Sequence, residues 1–320
     1  MSVLVYTESE NGKFKKTAFE VASYAKAVAD QLGTTVTAVA VNADDVSELG
    51  KYGVDKVLNV SNTDLKKFNA KSYASVLKQA AQNESSKVVV VSSSADSKYL
   101  APILAVNLDA GYASNVVEVP SSTSPFTVKR TAFTNKAFNI TTIDTAVKVV
   151  GVSNNSYGLV ENTGSATAED FSPSIPASGV TVESVDKVTD KVTIADAEIV
   201  VSAGRGLKGP ENWGMIEELA DVLGAATACS KPVSDLGWRP HGEHVGQTGK
   251  PVAANLYIAI GISGAIQHLA GINASKVKVV INTDPEAPFF KAADYGVVGD
   301  AFEVVPALIE KLKAFKAANA

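Results

Sequence analysis

Short β-branched runs alternate with amphipathic stretches along the first part of the chain. This alternation predicts strands at Val3–Tyr6, Val36–Val41, Lys56–Val60 and Val88–Ser92, and helices near Phe14–Leu32 and Tyr73–Asn83. The run Val88–Val91 is apolar on both faces, as expected for a parallel strand that helices cover on each side. The pattern therefore predicts a three-layer α/β domain.

The pattern changes towards the middle of the chain. Phe126–Phe133 and Ala137–Ile143 flank a turn at residues 134–136 and predict an antiparallel hairpin that finishes the sheet. Tyr157–Ser184 is rich in Ser, Thr, Gly and Pro, so we place the connection between domains there, with a strand near Gly179–Val188. A length of 320 residues is sufficient for two domains.

The alternation of strands and helices resumes beyond residue 190. Strands are predicted at Ala197–Ser202, Ala225–Ala228, Leu256–Gly261, Val277–Asn282 and Tyr295–Val298, and helices near Trp213–Leu223, Gly264–Gly271 and Glu303–Phe315. A strand, a glycine turn and a helix open this unit, as in nucleotide-binding domains. We predict a second, doubly wound domain with a parallel sheet.

Composition excludes several classes of protein. Hydrophobic residues make up 46% and charged residues 20% of the chain, which indicates a folded globular protein. The net charge is -5 and no dense Lys/Arg tract is present, which speaks against nucleic acid as a partner. Cys229 is the only cysteine, which excludes an intrachain disulfide and a multi-thiolate metal site and fits a reducing compartment.

Targeting signals are not evident in this sequence. The opening M-S-V-L-V-Y lacks the features of a secretory signal or a transit peptide. Every apolar run is shorter than the ~20 residues that span a bilayer. We therefore expect a cytoplasmic protein that does not insert into a membrane.

Two polar loops follow the first strands of the second domain. In Gly204–Gly206 the glycines let backbone N–H groups approach a phosphate, which Arg205 would also contact. Ser230 and Lys231 follow the next strand, at the end of a parallel sheet where ligands bind. The alternative interpretation of each loop is an ordinary turn, with a solvated lysine in the second.

Two further loops carry small and hydrogen-bonding residues. In V-G-Q-T-G-K, Gln247 and Thr248 lie between glycines and are able to meet a planar heterocycle without obstruction. Gly261–His268 joins a strand to a helix and exposes backbone amides of the type that hold diphosphates. His268 lies beside this predicted anion site, although a single histidine on a helix is more often structural.

The fifth loop set and the missing motifs complete the candidate chemistry. Asn282 and Asp300 follow strands at positions where doubly wound domains contact ribose and adenine, whereas Asp284 also fits a simple turn. The sequence contains no G-x-S-x-G, no Walker loop and no H-E-x-x-H. We therefore predict neither catalytic nor metal-binding residues, but a site for a dinucleotide whose own ring performs the chemistry.

Five segments resemble, in order and spacing, the C-terminal FAD domain of the electron transfer flavoprotein alpha subunit. They are S-A-G-R-G-L-K-G-P-E-N, V-G-Q-T-G-K, Y-I-A-I-G-I-S-G-A-I-Q-H-L-A-G, I-N-T-D-P-E-A-P-F-F and A-D-Y-G-V-V-G-D, from about Val200 to Leu312. The resemblance implies an α/β protein with an N-terminal three-layer, nucleotide-hydrolase-like domain in residues 1–190, which contacts a beta subunit. A C-terminal doubly wound FAD-binding domain would occupy residues 191–320.

The resemblance also implies which residues bind FAD. Thr248 would lie near flavin N5, His268 near the pyrimidine edge, and Asn282 and Asp300 along the adenosine half. The full implied set is Arg205, Ser230, Lys231, Gln247, Thr248, Ser263, Gly264, Ala265, Ile266, Gln267, His268, Asn282, Asp300 and Ala301. Lys231 stands where many members have arginine, so the charge is kept but the planar fork is not.

The function implied is that of an electron carrier and not of an enzyme with its own substrate. FAD would accept electrons from acyl-CoA dehydrogenases or other flavin dehydrogenases and pass them to a quinone oxidoreductase or similar acceptor. The partner would be a smaller beta subunit that carries AMP, and fatty acid β-oxidation is the expected context.

Two other functions are weighed against this one. A regulatory module that binds adenine nucleotides would bind them without flavin. A pyridine-nucleotide enzyme would require G-x-G-x-x-G followed by an acidic residue about 20 positions later. Gly204, Gly206 and Gly209 have the glycine spacing, but Cys229 and not an acidic residue stands 20 positions after Gly209, so the complete fingerprint is not found. A variant with a second FAD in the beta subunit stays open, because that site belongs mostly to the other chain.

Overall fold

The computed structural model describes residues 2–133, 135–185 and 193–319. The chain divides into two compact units, and the first ends at Val185. The predicted domain boundary between residues 190 and 191 lies outside the described residues and stays a prediction. Each unit is described by itself below.

The first unit is built on one large sheet. Its elements are β1 (Ser2–Thr7), α1 (Lys16–Leu32), β2 (Thr35–Val41), β3 (Lys56–Val60), α2 (Ala70–Asn83), β4 (Val88–Ser92), α3 (Ala95–Asn107), β5 (Gly111–Val116), β6 (Phe126–Ala132), β7 (Ala137–Ile143), β8 (Lys148–Val152) and β9 (Thr167–Asp170). The order across the sheet is β7-β6-β5-β8-β4-β1-β2-β3-β9. The seven neighbouring strands β5-β8-β4-β1-β2-β3-β9 run parallel. The neighbours β6 and β7 end the sheet, as predicted, and residue 134 in their turn lies outside the described residues.

Two apolar layers cover this sheet and confirm the three-layer α/β prediction. On one face α1 packs through the fully buried Tyr24. On the other face α2 and α3 contribute Leu77, Leu100 and Leu104. The continuous valines of β4 are buried on both sides because each face meets a helical layer.

The segment Tyr157–Ser184 corrects the prediction of a connection between domains. Its residues form strand β9, which pairs with β3, and the N–H of Phe171 donates to the carbonyl of Asn59 at 2.8 Å. Residues 179–185 form no strand, so the strand near Gly179–Val188 is wrong there, and residues 186–188 lie outside the described residues. β9 escapes prediction because T-A-E-D is polar and all four residues are exposed.

The second unit is a five-stranded parallel sheet. Its elements are β10 (Ile199–Ala203), α4 (Gly214–Leu223), β11 (Ala226–Cys229), α5 (Lys231–Asp235), β12 (Leu256–Ile260), α6 (Ile266–Ile272), β13 (Val277–Asn282), β14 (Tyr295–Val298) and α7 (Ala301–Ala318). The strand order is β11-β10-β12-β13-β14, and neighbouring strands are parallel throughout. The chain winds outward in both directions from β10, which confirms the doubly wound prediction and creates a switch point between β10 and β12.

Apolar layers on both faces hold this sheet in place. Helices α4 and α7 bury Ile216, Leu219 and Val305 against one face. Tyr257 and Phe289 fill the other face, next to Ile272 of α6. The carboxyl ends of the strands remain at one edge, where the five polar loops identified in the sequence emerge.

Glu8 is a buried carboxylate just beyond β1 in the first unit. Its Oε1 accepts hydrogen bonds from the hydroxyls of Ser92, Ser94 and Ser97 at 2.5, 2.6 and 2.7 Å, and its Oε2 lies 3.4 Å from Lys15 Nζ. It joins the ends of β1 and β4 to the start of α3, which Ser94 caps.

We expect Glu8→Gln to lower the free energy of unfolding of the first unit by about 2 kcal/mol, because the amide carries no negative charge and its NH2 group no longer accepts a hydrogen bond. Urea denaturation followed by circular dichroism measures this loss. Glu10→Gln is the matched control, since Glu10 lies in a short antiparallel hairpin, Ser9–Glu10 with Lys13–Phe14, and its side chain is 36% exposed. Equal losses in both variants would contradict a special role for the serine cluster.

Candidate functional site

A cleft of about 530 Å³ lies at the carboxyl ends of the strands in the second unit. Predicted site residues from five separate loops line it: Arg205, Ser230, Lys231, Gln247, Thr248, Ser263, Ala265, Gln267, His268 and Asn282. The volume is in the range typical of sites for small molecules and cofactors. Folding therefore brings together residues that are up to 77 positions apart, from 205 to 282.

A smaller cavity of about 210 Å³ adjoins the cleft. Asp300 and Ala301, both predicted site residues, line this second cavity. Gly261 and Asn282 line both cavities, so the two form one elongated depression along the sheet edge.

Two predicted residues lie on the site loop without lining either cavity. Gly264 packs against Phe289, and Ile266 is the exposed first residue of α6. Their role in FAD binding stays a prediction. Any contact they make with a ligand would be through the backbone or at the rim.

Glycines allow the loops after β10 and β12 to touch. The N–H of Gly206 donates to the carbonyl of Gly261 at 3.1 Å, and Gly204 N–H donates to Ile260 at 2.9 Å. A Cβ atom on Gly204 would lie 2.3 Å from the Gly261 oxygen, closer than real contacts. The switch point thus requires glycine for close backbone approach, as the sequence indicated.

The Gln247–Thr248 loop is held between β11 and α6. Val245 N–H donates to the carbonyl of Cys229 at 3.0 Å, and Gln247 N–H donates to the carbonyl of Gln267 at 2.7 Å. A Cβ atom on Gly271 would lie 2.6 Å from the backbone of Gly246, so helix and loop meet without an intervening side chain. This packing directs the loop towards the cleft.

Asn282 and Asp300 make backbone contacts in addition to lining cavities. Asn282 Nδ2 donates to the carbonyl of Ile262 at 3.1 Å, and its Oδ1 accepts from Asp284 N–H at 3.0 Å. Asp300 Oδ1 caps α7 by accepting from Phe302 N–H at 3.0 Å, while Oδ2 lies 3.9 Å from Lys208 Nζ. Both side chains therefore shape the site edge. Both also cap turns, a role that the sequence pattern favours only for Asp284.

His268 is buried beneath the cleft. Its Nε2 lies 2.9 Å from the hydroxyl of Tyr257, which is fully buried in the sheet. Burial, reinforced by the nearby His244, lowers the pKa of His268 to about 4. The imidazole is consequently neutral at pH 7 and acts as a hydrogen-bonding group in this state.

Comparison with known proteins decides the family. The model of the electron transfer flavoprotein domain matches residues 3–176, and that of the electron transfer flavoprotein FAD-binding domain matches residues 193–273. The chain belongs to the electron transfer flavoprotein alpha subunit family. This confirms the resemblance, and the FAD-binding domain makes FAD the cofactor of the family site.

Relatives of this family align with the chain over nearly their whole length. Electron transfer flavoprotein subunit alpha of Bacillus subtilis is 36% identical over 315 residues, covering 97% of both chains. The protein of that name from Pseudomonas aeruginosa is 38% identical over 316 residues, covering 96% of this chain and 99% of its own. The Syntrophomonas wolfei subunit alpha is 36% identical over 318 residues, covering 97% and 98%. Membership implies an electron-transfer role and a heterodimer with a beta subunit.

The shape and the side chains of the site fit FAD. The elongated depression has a wide and a narrow part, and Arg205 and Lys231 supply cations at its wall. His244 Nδ1 is buried without a hydrogen-bond partner among the described residues, which leaves a polar atom for a ligand. When bound, FAD supplies the electron-accepting ring, and the protein supplies binding, orientation and charge.

The FAD set that the resemblance implies omits several residues that line the cleft. They are Pro232, Asp235, His244, Val245, Gly246, Gly261, Ile262, Asp284 and Ala287. Most belong to loops that the sequence pattern identifies as candidate sites, so their nearness to predicted site residues is the feature that points to them. What the sequence lacked was the direction of each side chain.

Cys229, the single cysteine of the sequence, lies buried at the end of β11. Burial raises the pKa of the Cys229 thiol to about 12, so this cysteine is not a nucleophile at neutral pH. In the described part of the chain, His, Cys, Asp and Glu form no group of three or more suited to a metal ion. No helix among the described residues is both long and apolar enough to cross a bilayer.

Proposed function

We propose that this chain carries electrons on FAD held along the edge of its second sheet. The donors are acyl-CoA dehydrogenases or other flavin dehydrogenases, and the acceptor is a quinone oxidoreductase or a similar protein. The single observation that carries the proposal is the joined pair of cavities at the switch point, lined by the residues that the family resemblance implies. Fatty acid β-oxidation in the cytoplasm is the proposed setting.

The two cavities suggest how the dinucleotide lies. Gln247, Thr248 and His268 line the wide cleft and would hold the flavin ring. Asp300 lines the narrow cavity and would serve the adenosine half, with Asn282 between the two. The first unit would contact the beta subunit, which would carry AMP.

This proposal treats the protein as a carrier and not as an enzyme with its own substrate. The cleft contains hydrogen-bonding groups, two cations (Arg205 and Lys231) and two carboxylates (Asp235 and Asp284). The thiol of Cys229 is buried and protonated and so does not act as a nucleophile. A site of this composition orients a redox cofactor and stabilises its added charge.

Ligand titration of the protein freed of cofactor tests the proposal. We expect FAD to bind with a Kd far below that of FMN or ADP, because FAD alone fills both cavities. Fluorescence quenching of added FAD and FMN measures the two flavins, and calorimetry measures ADP. Binding of ADP without any binding of FAD would favour the regulatory nucleotide-binding module instead.

We predict that Lys231→Arg changes the two reduction potentials of the bound flavin. An arginine fork holds negative charge at two points, whereas the Lys231 ammonium is a single flexible charge at the exposed start of α5. The gap between the potentials of the first and second electron should widen by about 50 mV, the equivalent of roughly 1 kcal/mol for one electron.

Spectroelectrochemical titration measures this gap. Lys250→Arg is the matched control, because Lys250 is exposed and does not line the cleft. Identical titrations of the wild type and Lys231→Arg would count against a role for this cation at the flavin.

A further inference from the structure

The three histidines of the chain cluster around the cleft. His244 and His268 line it, and the ring centroids of His241 and His244 are 5.3 Å apart. His268 is already part of the implied FAD set. His244 is not, although only 2% of it is exposed and it immediately precedes the loop that carries Gln247 and Thr248.

The ring of His244 lies within its own loop. A Cβ atom on Gly249 would lie 3.0 Å from Cγ of His244, and one on Gly246 would lie 3.6 Å from its Nε2. The backbone is fixed by Val245 N–H, which donates to Cys229, and by Lys250 N–H, which donates to the His244 carbonyl at 2.9 Å. The imidazole of His244 therefore forms part of the cleft wall.

One polar atom of this ring is not used by the protein. Nδ1 is buried and has no hydrogen-bond partner among the described residues. Burying a polar group without a partner costs about 1–3 kcal/mol. Of the nine such side-chain atoms among the described residues, only those of His244 and His268 belong to residues that line the cleft. The orphaned nitrogen at a cleft wall indicates a role with the ligand that the cleft holds.

Charged groups around His244 keep it neutral when the cleft carries no added negative charge. Burial lowers its pKa, and His241 and Lys231 act in the same direction, whereas Asp235 of α5 opposes them. His268 faces it from α6 and is itself neutral at pH 7. Glu243, the preceding residue, is engaged by Arg239 through two hydrogen bonds.

We propose that His244 is a further residue of the flavin site, which takes up a proton when the flavin is reduced and releases it on reoxidation. The inference rests on the proposed function, because it requires a group in the cleft whose charge changes. An added negative charge at the cleft favours the imidazolium form. Nδ1 is buried without a partner among the described residues in both His244 and His268, but Nε2 of His268 is held by the Tyr257 hydroxyl at 2.9 Å, so we assign the proton to His244.

The charges balance in this step. Full reduction delivers two electrons from the donor to the flavin, and one proton from solvent binds to the flavin ring. The second proton from solvent binds to the imidazole of His244, so the net charge of the site is unchanged. Reoxidation returns both electrons to the acceptor and both protons to solvent.

The sign of the pH dependence follows directly. The pKa of His244 is low in the oxidised site and higher in the reduced site. The extra proton is therefore taken up only at pH values that lie between these two pKa values. Each linked proton changes the two-electron equilibrium tenfold per pH unit, about 30 mV. In that window the wild type should show about a 100-fold change per pH unit, and outside it about tenfold.

The test compares His244→Gln with His241→Gln in the complete FAD-loaded complex. Glutamine keeps a hydrogen-bonding group but does not titrate, so His244→Gln should show a tenfold change per pH unit throughout, about 30 mV. His241→Gln should keep the steep window, because the ring of His241 lies outside the cleft. A steep window retained in His244→Gln would overturn the proposal and assign the proton to another group.

If the His244→Gln protein fails to bind FAD, a measurement on the wild-type complex tests the proposal instead. Histidine resonances of the wild-type complex, labelled with nitrogen-15, are followed against pH in the oxidised and fully reduced states, with His241→Gln used for assignment. The His244 pKa should rise on reduction, and an unchanged pKa would refute the proposal. A wild-type complex that binds no flavin would instead refute the proposed function.

Discussion

Gly264→Ala should weaken FAD binding by about 100-fold or more, equivalent to roughly 3 kcal/mol. Gly264 has φ 87°, a conformation that favours glycine, and an added Cβ would lie 2.4 Å from the backbone nitrogen of Phe289. Phe289 is fully buried, and its N–H donates to the carbonyl of Ser263 at 3.1 Å. Because neither partner has room to move, the loop that forms the cleft wall must shift.

The expected cost combines two physical effects. A left-handed conformation at a residue other than glycine costs about 1–3 kcal/mol, and overpacking against a buried backbone costs a similar amount. Part of this cost would appear as lower stability of the second unit, and part as displacement of Ser263 and Ala265 from the site. Fluorescence titration of the cofactor-free variant with FAD measures the loss of affinity.

Gly214→Ala is the matched control for this substitution. Gly214 is the first residue of α4, and a Cβ atom there would meet nothing within 4 Å. We expect unchanged FAD affinity and equal or slightly higher stability, since alanine is the better helix former. Wild-type affinity in Gly264→Ala would show that this loop does not form part of the cofactor site.

Arg239→Ala should lower the free energy of unfolding of the second unit by about 3 kcal/mol. The guanidinium donates to Glu243 at 2.7 and 2.6 Å and to Glu217 of α4 at 2.9 Å, and it lies 5.3 Å from the ring centroid of Trp213. The side chains of Arg239 and Glu243 are only 16% and 15% exposed. Removing the cation leaves the Glu243 carboxylate poorly solvated and without its bidentate partner.

This substitution should also weaken FAD binding. Glu243 directly precedes His244, so a loosened Glu243 releases the start of the loop that carries Gln247 and Thr248. Thermal unfolding with and without FAD separates the two effects, because FAD should raise the midpoint temperature of the variant less than that of the wild type.

A second ion pair on α4 provides the control for Arg239→Ala. Lys313 lies 2.7 Å from Glu218, but the two side chains are 56% and 52% exposed. Lys313→Ala should therefore cost no more than about 0.5 kcal/mol and leave FAD affinity unchanged. Similar losses in the two variants would contradict the view that the Arg239 cluster supports the site loop.

Buried parallel strands were the part of the fold that the sequence predicted best. Val88–Ser92 and Val277–Asn282 have the predicted ends, because β-branched residues in a short apolar run leave few other options. Helix α3 was missed: it contains Pro102 and has apolar residues both in the core and at the surface, so it shows no helical stripe. Long-range pairing, not local pattern, creates strand β9.

The site was predictable as a set of loops but not as a surface. Glycines and polar residues at strand ends indicated where a ligand lies, since parallel strands end at one edge. His244 escaped because its role depends on how Gly246 and Gly249 fold around its ring and on contacts with β11 and α6. The hydrogen bond from Asn282 to the Ile262 carbonyl likewise depends on a loop 20 positions away, whereas the cap that Asp300 provides for Phe302 is local.

The most direct test of the central claim is the visible absorbance of the chain produced together with its beta subunit, recorded during anaerobic reduction and reoxidation. We predict a flavin spectrum that an acyl-CoA dehydrogenase with its substrate bleaches in steps and that an electron acceptor restores. A colourless complex that binds adenine nucleotides but does not take up added FAD would contradict the account.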